Sequence, residues 1–183
     1  MLFAIPPNID LVITQAIQSY QPGWLTAILK IFTYATIPAV LVIIILAYLG
    51  FFHHHYAHQT KLKILLISAG NLLTPLLKMF FARPRPTADL VQVFLHESDY
   101  SFPSGHTIGI ILFIAAIILL FYRKKSAFRF CLIGLCVLLT LIIPYSRIYL
   151  GVHWFTDILG GIFFSGLWIW LSHLLAKKLI PKK

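Results

Sequence analysis

Acidic residues are scarce in this chain of 183 residues, with five Asp and Glu against 15 Lys and Arg. Charge of either sign is scarce too, at 11% of residues beside 60% hydrophobic. An ordinary soluble globule carries about 25% charged residues, so that class is excluded. The acids are Asp10, Asp89, Glu97, Asp99 and Asp157, and they form no carboxylate cluster of the kind that holds Mg²⁺. The two cysteines, Cys131 and Cys136, lie five residues apart in one apolar run, on different faces of a helix. Neither a disulfide nor a metal site is expected from them. The first twenty residues lack the basic stretch and cleavage site of a removable signal peptide. No internal repeat or low-complexity linker is present.

What remains is apolar sequence, with a mean hydropathy of +0.89. Runs long enough to cross a bilayer recur, which predicts an all-α, polytopic transmembrane helical bundle in a single domain over 1–183. The net charge of +10 would suggest nucleic acid in a soluble chain. Here the basic residues mostly cluster in short loops between apolar runs, so membrane topology and anionic lipid account for them and no nucleic-acid partner is expected. No protein partner is evident either.

About five transmembrane helices are expected, at 27–50, 64–81, 104–122, 130–145 and 157–175, preceded by an N-terminal interfacial segment over 1–25. In that segment Asn8 or Asp10 caps a short helix that lays Leu11, Val12, Ile13 and Ile17 on the membrane surface. Lys30 snorkels near the start of the first span, and Pro38 kinks it. His53, His54, His55 and His58 leave two readings open: a metal site from His54 and His58 one turn apart, or a polar interfacial loop, which the lack of Cys, Asp or Glu nearby favours. Asn71, Thr74 and Pro75 interrupt the second span and face other helices. Lys61 and Lys63, then Arg123, Lys124, Lys125 and Arg129, then Lys177, Lys178, Lys182 and Lys183 fall on one side, which the positive-inside rule makes cytoplasmic. The opposite loops and the N-terminus then face outward. Trp154, Trp168, Trp170 and Tyr145 read as interfacial belt or bundle packing.

Three polar clusters stand at span ends on that outer side, where ionisable residues are costly and tend to be functional. The first is Lys78 with Arg85-Pro86. The second is Pro103-Ser104-Gly105-His106, where Ser104 caps a helix whose Gly105, His106 and Thr107 amides face outward as an anion site. The third is Ser146-Arg147, His153 and Asp157. A leaving phosphoryl group carries spread negative charge, which Lys78, Arg85 and Arg147 would stabilise. His153 and Asp157 share a face on a continuing helix, so Asp157 would hold the Nδ1 proton and leave Nε2 to attack phosphorus. His106 would protonate the leaving oxygen and then activate water. Metal-independent turnover and no cofactor are expected.

These clusters resemble the signature of the type 2 phosphatidic acid phosphatase superfamily, which also contains the vanadium haloperoxidases. Its pattern is K-x6-R-P, P-S-G-H and S-R-x5-H-x3-D. The sequence has Lys78 to Pro86, Pro103 to His106 and Ser146 to Asp157 at those spacings, so the match covers 78–157. The resemblance implies a helical bundle, His153 as nucleophile, His106 as acid and base, and Asp157 as orienter. It implies phosphate binding by Lys78, Arg85, Ser104, Gly105 and Arg147. It departs from the usual membrane members in being short, with five spans rather than six.

The expected activity is hydrolysis of a lipid phosphate or pyrophosphate, such as undecaprenyl pyrophosphate or phosphatidylglycerol phosphate, through a phosphohistidine. The small size and short outer loops suggest the cytoplasmic (inner) membrane of a bacterium, with the site facing the periplasm or exterior. A lipid A phosphatase or a lipid-to-lipid phosphotransferase would use the same site. A non-enzymatic lipid transporter would instead place charges near the membrane midplane and break its helices there. Haloperoxidase chemistry is disfavoured by size, although vanadate should inhibit. Arg83 lies outside the fixed positions, and headgroup or loop contact suits it as well as substrate contact. The 87–102 loop is a candidate lid whose acidic residues temper the positive pocket.

Overall fold

The structure is a computed structural model that describes residues 8–121 and 127–179. Among them every regular element is helical. In chain order they are α1 (Asn8–Ile17), α2 (Gly23–Ala35), α3 (Pro38–Phe52), α4 (His58–Ala69), α5 (Leu73–Phe81), α6 (Gly105–Phe121), α7 (Ala127–Tyr149) and α8 (Phe155–Leu179). The expected basic residues Arg123, Lys124, Lys125, Lys182 and Lys183 lie outside the described residues.

Polar groups turn inward and apolar groups outward. Asp10, Lys78, Arg83, Arg147, His153 and Asp157 are buried, whereas Phe51, Phe80 and Phe130 are more than three-quarters exposed. A surface of that kind needs an apolar solvent. Four stretches are long and apolar enough to cross a membrane: Pro38–His55, His58–Phe81, Ala127–Tyr149 and Phe155–Leu179. Helix α6, a largely apolar helix of 17 residues, stands among them and packs against α3, α4, α7 and α8. It is hydrophobic all round, as a helix surrounded by others should be.

The structure corrects several expectations. The first span is not one kinked helix. Thr36 and Ile37 leave helical geometry, α2 ends at Ala35, and Pro38 opens α3 at its first turn, where a missing N–H costs nothing. Helix α2 packs on α7 and α3 on α6. The second span starts earlier, at His58, and passes through a 3₁₀ turn at Gly70–Leu72 before Pro75. Helix α7 runs on to Tyr149, so Ser146 and Arg147 lie on it rather than beyond it. His53–His55 form an exposed 3₁₀ turn, and extended Tyr56 separates it from α4, so His54 and His58 share no helix. Cys131 and Cys136 are free thiols on α7.

Helix α1 forms where a short N-terminal helix was expected, but it turns a polar face inward. Asp10 and Thr14 are buried while Ile9 and Val12 are exposed. Asp10 is therefore an interior residue of the bundle, packed toward α8 and α7, and not a cap. Lys30 sits over the Phe94 ring, 5.9 Å from its centroid. Trp168 and Trp154 are packing residues that donate to the carbonyls of Leu66 and Pro84.

The segment from Arg83 to Ser104 crosses one end of the bundle and is pinned at both ends. Near its start Gln18 donates to the carbonyls of Gln92 (2.8 Å) and Tyr149 (3.0 Å) and accepts from the Gln92 amide. The Phe94 amide donates to Leu150, and at the far end the Ser101 amide donates to Arg83.

Candidate functional site

The motif residues converge at the end of the bundle that this segment covers. A cavity of about 440 Å³ is lined there by Pro38 from α3, Thr74, Pro75 and Lys78 from α5, Gly105 and His106 from α6, His96 to Asp99, and His153. Two grooves of similar size, about 430 and 460 Å³, are lined almost wholly by apolar side chains and hold none of the motif residues. The polar cavity is therefore the candidate site.

Backbone geometry aims the side chains. Helix α5 ends at Phe81, and the left-handed φ of 46° at Ala82, which follows it, lets the Ala82 amide close on the Lys78 carbonyl and turns the chain into Arg83-Pro84-Arg85-Pro86. After α7, Gly151 takes a φ of +70°, and a Cβ there would stand 2.0 Å from the Gln92 carbonyl oxygen. Only glycine fits between the helix end and the covering segment. Gly161 lets α8 approach the start of α6 closely, since a Cβ would meet Thr107 at 2.9 Å.

Three cations gather, each held by the covering segment. Lys78 donates to Asp99 (2.6 Å) and to the Tyr100 carbonyl (2.8 Å). Arg85 pairs with Glu97 (2.6 Å) and Asp99, and donates to the Val152 carbonyl (2.6 Å). Arg147 pairs with Glu97 through Nη2, and among the described residues its buried Nε and Nη1 have no partner. Buried guanidinium nitrogens without acceptors are costly, and an incoming phosphoryl group would satisfy them. Burial would raise the Glu97 carboxyl, but Arg147 and Arg85 overcome it and hold it down at about 2. Burial opposes the same effect at Asp99, where Lys78 and Arg85 prevail and the carboxyl is lowered.

His153 and Asp157 meet, though not as expected. His153 lies in the turn before α8, so the contact is made across a helix start and not along a helix face. Nδ1 is 3.3 Å from Asp157 Oδ2 and 3.4 Å from Ser101 Oγ, and Nε2 is 3.3 Å from Arg85 Nη1. A guanidinium can only donate, so Nε2 is the acceptor and the proton is assigned to Nδ1, toward Asp157. Burial first, then Arg85 and Arg147, keep the imidazole well below its ordinary 6.5, hence neutral. A neutral imidazole with its Nδ1 proton held and its Nε2 lone pair facing a cation-lined space can attack phosphorus.

His106 lines the same cavity, and its Nε2 has no partner among the described residues. Ser104 is buried and caps α6. Its hydroxyl oxygen accepts from the Thr107 hydroxyl (3.1 Å) and, at longer range, from the Thr107 amide (3.5 Å). Of the three amides expected to face outward, that of Thr107 is thus taken within the helix. Gly105 remains on the cavity wall.

The least foreseen member is Arg83. It is buried, donates to Asp157 Oδ1 at 2.5 Å and to Asp10 Oδ2 at 2.6 Å, and also reaches the Thr156 hydroxyl. Breaking a buried pair of this kind costs about 3–5 kcal/mol. Ser101, which donates to Asp157 Oδ2 at 2.5 Å, was also unforeseen. The doubled Arg-Pro at 83–86 was the one signal available for Arg83.

The profile of the PAP2 superfamily matches residues 61–181. Phosphatidylglycerophosphatase B of Bacillus subtilis (strain 168) is 31% identical over 160 residues, which are 83% of this chain and 75% of that protein. Undecaprenyl-diphosphatase BcrC of the same organism is 32% identical over 51% of this chain and 46% of that protein. The crystal structure of the first transmembrane PAP2 type phosphatidylglycerolphosphate phosphatase from Bacillus subtilis superposes with a TM-score of 0.78 at 25% identity, covering 95% of this chain and 87% of that one.

Proposed function

The chain belongs to the PAP2 superfamily, and from that membership we propose that it hydrolyses a lipid phosphate or pyrophosphate through a phosphohistidine on His153. Its homologues are membrane lipid phosphatases, and the chain is a multi-pass membrane protein. The observation that carries the reading is the His153–Asp157 pair beside Lys78, Arg85 and the part-unpartnered Arg147.

The phosphoryl oxygens exchange with Glu97 and Asp99 on the three cations. His153 Nε2 forms the P–N bond as the P–O bond to the leaving group breaks, and His106 gives that oxygen a proton. Water then attacks phosphorus, His106 takes its proton, and the P–N bond breaks to return neutral His153 and release phosphate. Fixed cations supply the charge stabilisation that a metal gives elsewhere, so turnover is metal-independent. Gly105 and the start of α6, capped by Ser104, support the phosphate by their amide dipoles. The site is read as facing outward from a bacterial inner membrane, a reading supported by the basic residues that the sequence gathers at the opposite ends of the spans.

Purified protein in detergent, offered phosphatidylglycerol phosphate, phosphatidate, undecaprenyl pyrophosphate and lipid A phosphate, should release phosphate from at least one, with EDTA present. His153→Ala should abolish release and the acid-labile label trapped on the wild type. Undiminished release by that variant ends the mechanism, and loss of turnover in EDTA ends the metal-free part.

A further inference from the structure

We propose that Asp10 and Arg83 are positioning residues for the His153–Asp157 pair, an inference that rests on the reading of His153 as nucleophile. Asp157 is held on both oxygens. Oδ2 accepts from Ser101 (2.5 Å), the Trp154 amide (2.8 Å) and His153, while Oδ1 accepts from Arg83 (2.5 Å). Arg83 is in turn fixed by Asp10, whose Oδ2 accepts from it at 2.6 Å. Asp10 also takes the Thr156 amide on Oδ1 (2.8 Å) and the Thr156 hydroxyl on Oδ2 (2.7 Å). One carboxylate on α1 therefore sets both the guanidinium that orients Asp157 and the first turn of the helix that carries it.

Charge gives Asp10 a second role. All four side chains of the row Asp10, Arg83, Asp157 and His153 are at most 1% exposed, so their fields are weakly screened. Without Asp10, Arg83 would neutralise Asp157 alone. With it, one cation is shared by two carboxylates, and Asp157 keeps the negative charge that holds the Nδ1 proton and balances the imidazolium formed as Nε2 bonds to phosphorus.

A purely mechanical anchor for α1 would leave the titration of His153 unmoved, which separates the two roles. The other groups facing His153 are Lys78 of α5, Arg85, Glu97 and Ser101 of the covering segment, His106 of α6 and Arg147 of α7. They are the same in every variant below.

The test is kcat, KM and the pH profile of kcat/KM for the full chain in detergent, with the fastest of the four lipids above. Asp10→Asn should lower kcat by about 10–100-fold with KM little changed, and should move the acid-side midpoint to lower pH, because a negative charge is lost. Arg83→Gln should move that midpoint to higher pH, and Asp10→Glu should restore the wild-type position. Wild-type kcat and midpoint in Asp10→Asn, or shifts of the same sign in the two neutral variants, overturn the proposal. Should neither neutral variant fold, Thr156→Val decides: a several-fold lower kcat at unchanged KM supports it, and wild-type kcat overturns it. Turnover by His153→Ala would instead overturn the reading of the nucleophile.

Discussion

Glu97 bridges Arg147 and Arg85 with a single carboxylate, Oε1 on Arg147 and Oε2 on Arg85 at 2.6 Å. Two oxygens of one anionic group span two guanidinium groups, as two phosphoryl oxygens would. The acid therefore occupies the cations that the proposed chemistry needs.

Glu97→Gln should thus strengthen anion binding. KM for the lipid phosphate and the inhibition constant for vanadate should both fall by about 3–10-fold, the scale of one partly exposed ion pair. Phosphatidylglycerol, a singly charged diester, should inhibit the variant more than the wild type. Steady-state kinetics in mixed micelles measure all three. Unchanged or weaker vanadate inhibition would show that Glu97 does not compete for the site.

The Glu97 carboxyl is held at about 2, below its ordinary 4.5. A lowered acid contributes stability that is fully present above its unfolded value and is lost as pH falls toward the folded one. The melting temperature should therefore decline from near pH 4.5 toward pH 2, with a loss on the order of 2 kcal/mol from this group. Glu97→Gln should flatten that part of the curve. Parallel wild-type and variant curves would refute the assignment.

Arg147→Lys keeps the charge and loses the planar fork. The unpartnered Nε and Nη1 of Arg147 are the donors at stake. The variant should fold and lose about 10²–10³ in kcat/KM, as for removal of an oxyanion donor. A loss under threefold would mean that those nitrogens do not serve phosphate.

Gly151→Ala places a Cβ 2.0 Å from the Gln92 carbonyl oxygen at a φ of +70°. Both terms act against the native turn, so the unfolding free energy should drop by about 2–4 kcal/mol. Thermal melts in detergent read this directly. A neutral result would mean that the covering segment shifts freely.

The candidate site was legible in the sequence because its residues come in short, spaced motifs at span ends. His106, Arg147, His153, Asp157, Lys78 and Arg85 converge as those spacings imply. What escaped notice depends on tertiary approach. Asp10 and Arg83 are 73 residues apart, and nothing local to α1 tells a cap from a buried counter-ion. The pairing of Glu97 and Asp99 with the cations came through only as a vague tempering of charge. The break at 36–37 was read as a kink because a proline at a helix start and one inside a helix look alike until the partners of α2 and α3 differ.

The covering segment is fastened unevenly. Neutral hydrogen bonds from Gln18, Phe94 and Ser101 fix its flanks, whereas between them Glu97 and Asp99 hold to Lys78, Arg85 and Arg147 by charge. Ionic strength weakens the second kind of fastening and spares the first. Added salt should therefore speed amide hydrogen exchange at 96–100 while leaving the amides of Gln92, Phe94 and Ser101 protected, a flap that loosens at its crown on fixed hinges.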